Sequence, residues 1–122
     1  MPMTVALWIV NIVLALAFLA AGLAKVAQPK TKLAGTMGWV EDFAAPSVKL
    51  IGTAEIVGAF GLALPLVTGI APVLAPVAAV CLAVLMIGAV VVHIRRAEPF
   101  LPALVLGVVA VASAVLAFAA GV

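Results

Sequence analysis

The chain has 122 residues, of which 69% are hydrophobic and 8% charged, with a formal net charge of +2. A water-soluble domain carries about 25% charged residues, so these few cannot cover a soluble surface. The length admits four membrane spans of ~20 apolar residues each and excludes a second soluble domain beside them. Residues 1–122 are therefore expected to form a single integral membrane domain, an all-α four-transmembrane-helix bundle. Any site must lie inside the bundle or in its short loops. The basic residues all flank spans, so the charge carries no nucleic-acid signal.

The first span is expected over about residues 4–28. Met1 to Leu7 lacks Lys and Arg, and the apolar stretch from Val5 to Ala24 is longer than the core of a signal peptide, so it reads as a retained helix. Pro29 disfavours helix at the residue before it and ends the span. Trp8 is expected in the aromatic belt of the uncharged face. Asn11, deeper, is expected to bond to a neighbouring helix.

The connection after it is the longest. Leu33, Met37, Val40 and Ala44 fall on one helical stripe, with Trp39 and Phe43 beside it and Thr36, Glu41 and Asp42 polar. About residues 31–45 therefore read as a short amphipathic interfacial helix. The second span, about residues 47–67, follows Pro46, with Ser47 as the expected N-cap. A tight turn containing Gly69 leads to the third span, about residues 72–93, so these two helices are antiparallel neighbours. The fourth span covers about residues 100–120, with Pro102 in its first turn.

Charge is partitioned along this pattern. Lys25, Lys30, Lys32, Glu41, Asp42 and Lys49 lie between spans one and two or just inside their ends, and His93, Arg95, Arg96 and Glu98 lie between spans three and four. Positive charge in short loops marks the cytoplasmic side. The charged loops are thus expected in the cytoplasm of a bacterial inner membrane, with both termini outside.

Glu55 is the exception, a carboxylate ~12 Å along the axis from Ser47 at 1.5 Å per residue. A charge there is costly in lipid. It must take up a proton or pair with a cation, and Lys25, His93 and Arg96 are the candidates, approaching from the same charged side. Two readings stand beside each other for this cluster: a buried ion pair that fixes helix register, or a polar anchor for the head of a small ligand. Arg95 and Arg96 also read as topology anchors and lipid-phosphate contacts, and Glu98 as their counter-charge. Gly22, Gly52, Gly58, Gly61 and Gly88 read as packing positions that allow close helix approach. Gly52 and Gly58 are further expected to leave room beside Glu55. Cys81 is the single cysteine and His93 the single histidine, so an intrachain disulfide, a cysteine metal site and a bis-histidine haem within one chain are excluded. No metal site is expected.

Several stretches together resemble the DoxX-like family of small four-helix bacterial membrane proteins. These are Gly22-Leu-Ala-Lys25, Met37-Gly-Trp39-Val-Glu-Asp-Phe43, Ile51-Gly52-Thr-Ala-Glu55-Ile-Val-Gly58-Ala-Phe-Gly61-Leu, the Gly69-Ile-Ala-Pro72 turn and His93-Ile-Arg95-Arg96-Ala-Glu98. The resemblance implies a membrane subunit that binds a quinone-like or other lipophilic small molecule near Glu55 and supports a membrane-associated oxidoreductase system. Membrane lipids, a lipophilic ligand, a redox protein partner and further copies of the chain are the partners it implies. No cofactor is held by a recognisable motif, quinone being the one the resemblance admits, and stand-alone catalysis is not expected. The alternative is a non-catalytic assembly or interaction protein whose polar cluster is structural.

Overall fold

The computed structural model describes residues 2–35 and 37–122. Thr36, one of the polar residues assigned to the first loop, lies outside them. Four long helices make the bundle: α1 (Pro2–Ala27), α3 (Ala45–Thr68), α4 (Leu74–Arg95) and α5 (Leu101–Ala119). Each is long and apolar enough to cross a membrane. They pack as a ring in which α1 touches α3, α3 touches α4, α4 touches α5 and α5 closes back on α1. Outward residues such as Leu16, Val57, Ile87 and Val108 are exposed, which places lipid-soluble side chains where acyl chains meet them. The chain is a multi-pass membrane protein built as an all-α bundle.

Hydropathy locates the long helices because a helix satisfies its backbone groups within one apolar segment in lipid. α1 stops at Ala27, two residues short of Pro29. α3 starts earlier than the expected Ser47. Ala44 is its N-cap, with no side-chain cap bond, and Ala45 and Pro46 form the first turn, where the missing proline N–H costs nothing. Ser47 is therefore inside the helix and does not cap it. At the other end Gly69 takes a left-handed conformation (φ 70°) and donates its N–H to Pro65 O. This glycine stop reverses the chain into α4.

The first loop is helical in two pieces, not one. α2 (Lys30–Leu33) and a 3-10 turn (Gly38–Asp42) are separated by a segment containing Gly35, a residue that weakens helix by ~1 kcal/mol relative to alanine. The apolar stripe still gathers. Leu33 and Val40 bury against Val48 of α3, with Met37, Trp39 and Phe43 packed around them. The loop thus forms a small second core over the charged end of the bundle.

The main core joins Leu14 and Phe18 of α1 to Leu62 of α3, Leu82 and Met86 of α4, and Ala110 and Ala114 of α5. At the uncharged end, buried Asn11 donates to Leu62 O at 2.9 Å and accepts from Ser113 Oγ. One amide ties three helices, one turn from Pro65 of α3.

Candidate functional site

The glycines decide where α1 and α3 cross. A Cβ on Gly22 would lie 2.6 Å from Gly52 O, and a Cβ on Gly52 would lie 2.7 Å from Lys25 Cβ and 2.8 Å from Gly22 O. The two backbones are in contact there. Gly52 lies against Lys25 and Gly22 against Ile56, the neighbour of Glu55, so the close approach of the two helices brings the two ions together. Lys25 Nζ is 2.6 Å from Glu55 Oε1, with the residues 7% and 2% exposed. It is a meeting of charges. Lys49 adds a clamp beside it, donating to Val26 O at 2.9 Å in the last turn of α1.

Neither Gly52 nor Gly58 leaves room beside Glu55, contrary to the expectation above. Gly52 is filled by α1, and a Cβ on Gly58 would meet the Leu82 side chain at 2.7 Å. Gly61 faces Ala78 Cβ at 2.9 Å. These two close the seam between α3 and α4 toward its hairpin end. Nearer the charged end the seam parts. A cavity of about 420 Å³ opens there, bounded by Lys25 of α1, Ile51 and Glu55 of α3, Leu85, Gly88, Ala89 and Val92 of α4, Ala103 and Leu106 of α5, and Trp39 and Phe43 of the loop. Gly88 is exposed, and a Cβ there would meet nothing within 4 Å. The cavity therefore has an open side at the lipid-facing surface of α4. Its walls are apolar except for Lys25, Glu55, His93 and the Trp39 indole. Lys25 Nζ lies 5.8 Å from the Trp39 ring centroid, inside the ~6 Å range of a cation–π contact.

His93 and Arg96 take other partners. α4 ends in a Schellman turn, with Glu98 N–H on His93 O at 2.8 Å and Ala97 N–H on Ile94 O at 3.1 Å. Ala97 holds the left-handed position (φ 53°) that glycine usually fills. This reversal carries the Glu98 carboxylate back over the helix end. Glu98 Oε1 then lies 3.2 Å from His93 Nδ1, and Oε2 accepts from Arg96 Nε at 3.0 Å. Arg96 also pairs with Asp42 Oδ1 of the 3-10 turn at 2.8 Å. The Arg96 bond holds the Glu98 carboxyl below its ordinary range, and Asp42 and then Glu98 raise that of the guanidinium. The four residues lock the first loop to the third.

The sequence-picked residues are thus distributed over two linked places. Lys25, Glu55 and His93 line the cavity, whereas Arg96 stands outside it as the centre of the loop lock. Trp39, Phe43 and Gly88 line the cavity without having been singled out for it. An aromatic pair in an interfacial loop gave the only signal, and nothing in one chain's sequence marks Gly88 apart from other helix glycines.

The sequence profile described as the DoxX-like family matches residues 9–120. No curated protein and no solved structure matches the chain.

Proposed function

The chain belongs to the DoxX-like family, and from that premise we propose that its cavity holds the polar head of a quinone-like or other lipophilic small molecule beside Glu55. The protein then serves as a membrane subunit of an oxidoreductase system whose electrons come from a partner. The observation that carries this reading is the buried Glu55 carboxylate, paired with Lys25, at the wall of a 420 Å³ cavity. A carboxylate has about four lone-pair sites and can accept from a ligand as well as from the lysine, and pockets of ~300–1,000 Å³ with few polar groups on apolar walls are the usual form of small-molecule sites. The Lys25–Glu55 pair suits a head with both carbonyl and hydroxyl groups, because the ammonium donates and the carboxylate accepts. A long tail does not fit beside the head and leaves through the open side at Gly88, where it joins the bilayer.

Trp39 makes this testable. With Trp8→Phe, Trp39 is the remaining indole of the two, and a short-tailed benzoquinone added to the protein in nanodiscs is expected to quench it saturably. Glu55→Gln should weaken that binding about tenfold, the loss of one charge-assisted hydrogen bond. Gly88→Leu narrows the open side, where a Cβ meets no neighbour within 4 Å, and should abolish saturation. The 2.6 Å ion pair also favours the second reading, an assembly protein with a structural cluster. That reading takes first place if Glu55→Gln shifts thermal stability and leaves quenching unchanged.

We also propose that the charged loops face the cytoplasm of a bacterial inner membrane, with both termini outside, on the confinement of Lys and Arg to two loops. In a Cys81→Ser background, Thr31→Cys should react with an impermeant maleimide only after the inner membrane is opened. Reaction in spheroplasts with an intact membrane reverses the orientation.

A further inference from the structure

A second cavity of about 390 Å³ adjoins the first on its loop side. The two share Lys25, Trp39, His93 and Ala103 as a common wall, and the second is otherwise bounded by Pro102 of α5 and by loop residues, among them Glu98 and Pro99. One chamber opens to lipid at Gly88. The other lies beneath the charged loops. His93 is the titratable side chain that borders both and whose ring is held from behind.

The hold is specific. Arg96 occupies Glu98 Oε2, and Oε1 faces His93 Nδ1 at 3.2 Å. An ionised carboxylate only accepts, so Nδ1 carries the hydrogen and Nε2 keeps its lone pair. Among the described residues Nε2 has no protein partner, and it is not one of the enclosed orphan atoms. It is therefore not sealed off, on a ring that lines both cavities. The other charged groups around the ring are Lys25 of α1 and Glu55 of α3, which neutralise each other, and Arg96 and Asp42, which pair across the loops.

We infer that the chamber has two mouths, one to lipid and one to loop-side water, and that His93, positioned by Glu98, exchanges protons between that water and a hydroxylated ligand head beside Glu55. The exchange is acid–base only. The O–H bond of the head breaks as an N–H bond forms at Nε2, the imidazolium charge rests against Glu98, and vestibule water takes the proton away. The reverse sequence protonates an anionic head. The ligand end of this exchange rests on the function proposed above. The water end does not, and the experiment reads the water end alone.

His93 is the single histidine, so protein labelled with nitrogen-15 histidine in nanodiscs reports one ring. The neutral ring is expected as the Nδ1–H tautomer, and Glu98→Gln should abolish that preference. Exchange of the ring N–H with water should slow at least tenfold in Pro99→Trp, which covers the loop-side mouth from an exposed position. It should stay unchanged in Gly88→Leu, which closes the lipid side. A ring in the Nε2–H tautomer overturns the inference. So does exchange that Pro99→Trp leaves untouched, or that Gly88→Leu slows as much.

Discussion

Lys25→Met is expected to destabilise the bundle by about 3–5 kcal/mol, the cost of leaving one member of a buried ion pair alone. Glu55→Gln is expected to cost less than half of that. The asymmetry follows from depth. Lys25 is in the last turn of α1, and its long stem lets the ammonium reach toward headgroups when its partner is gone. Glu55 is 2% exposed in the middle of α3 and has a short side chain that cannot reach the headgroups. Removing the lysine strands the carboxylate, whereas removing the carboxylate's charge frees a lysine that has somewhere to go. Unfolding by graded denaturing detergent, followed by far-UV circular dichroism, measures both. Lys25→Met combined with Glu55→Leu should recover most of the loss, because no buried charge remains. Equal losses from the two single variants would mean that Lys25 is as confined as Glu55 and that depth does not govern the pair.

Gly52→Val should cost about 3 kcal/mol, the upper part of the ordinary range for overpacking, and should also undo the ion pair. The obstacle is backbone. A Cβ at Gly52 meets Gly22 O at 2.8 Å and Lys25 Cβ at 2.7 Å, and neither is the flexible end of a side chain. α1 must move away from α3, and the adjoining 2.6 Å contact lengthens with it. Gly58→Ala contrasts with this, because its obstacle is the Leu82 side chain, which can turn aside. A double-mutant cycle of Gly52→Val with Lys25→Met tests the coupling. The combined loss should fall well short of the sum, since the first change has already separated the charges. Strict additivity would show that the crossing and the ion pair are independent.

The long helices were legible because hydropathy over some twenty residues depends on composition alone. The isolation of Glu55 was legible for the same reason, since one carboxylate in an apolar run needs no structure to be noticed. The particular cation that meets it was not. Lys25, His93 and Arg96 all approach from one side, and the choice turns on the Gly22–Gly52 crossing, a contact between segments far apart in sequence. Glu98 looked like a counter-charge for the adjacent arginines. It also holds His93 because Ala97 adopts a left-handed conformation, which alanine does not advertise. The cavity was illegible in principle. It exists where α3 and α4 separate, and the glycine that lines it differs from the packing glycines only by having nothing opposite it. Ser113 was missed as well: a serine in an apolar helix ordinarily bonds its own backbone, and only the position of Asn11 gives it another acceptor.

The crossing of α1 on α3 also sets a schedule for biosynthesis. Lys25 and Glu55 are separated by about 30 residues of chain, which a ribosome working at ~5–20 residues per second takes roughly 2–6 seconds to make. For that interval the first helix waits in the bilayer with an unmatched ammonium near the headgroups, held back from full packing by the want of a partner not yet synthesised. The α1–α3 contact therefore forms after the third helical segment emerges, and the first loop is long enough to let α1 wait at the translocation site.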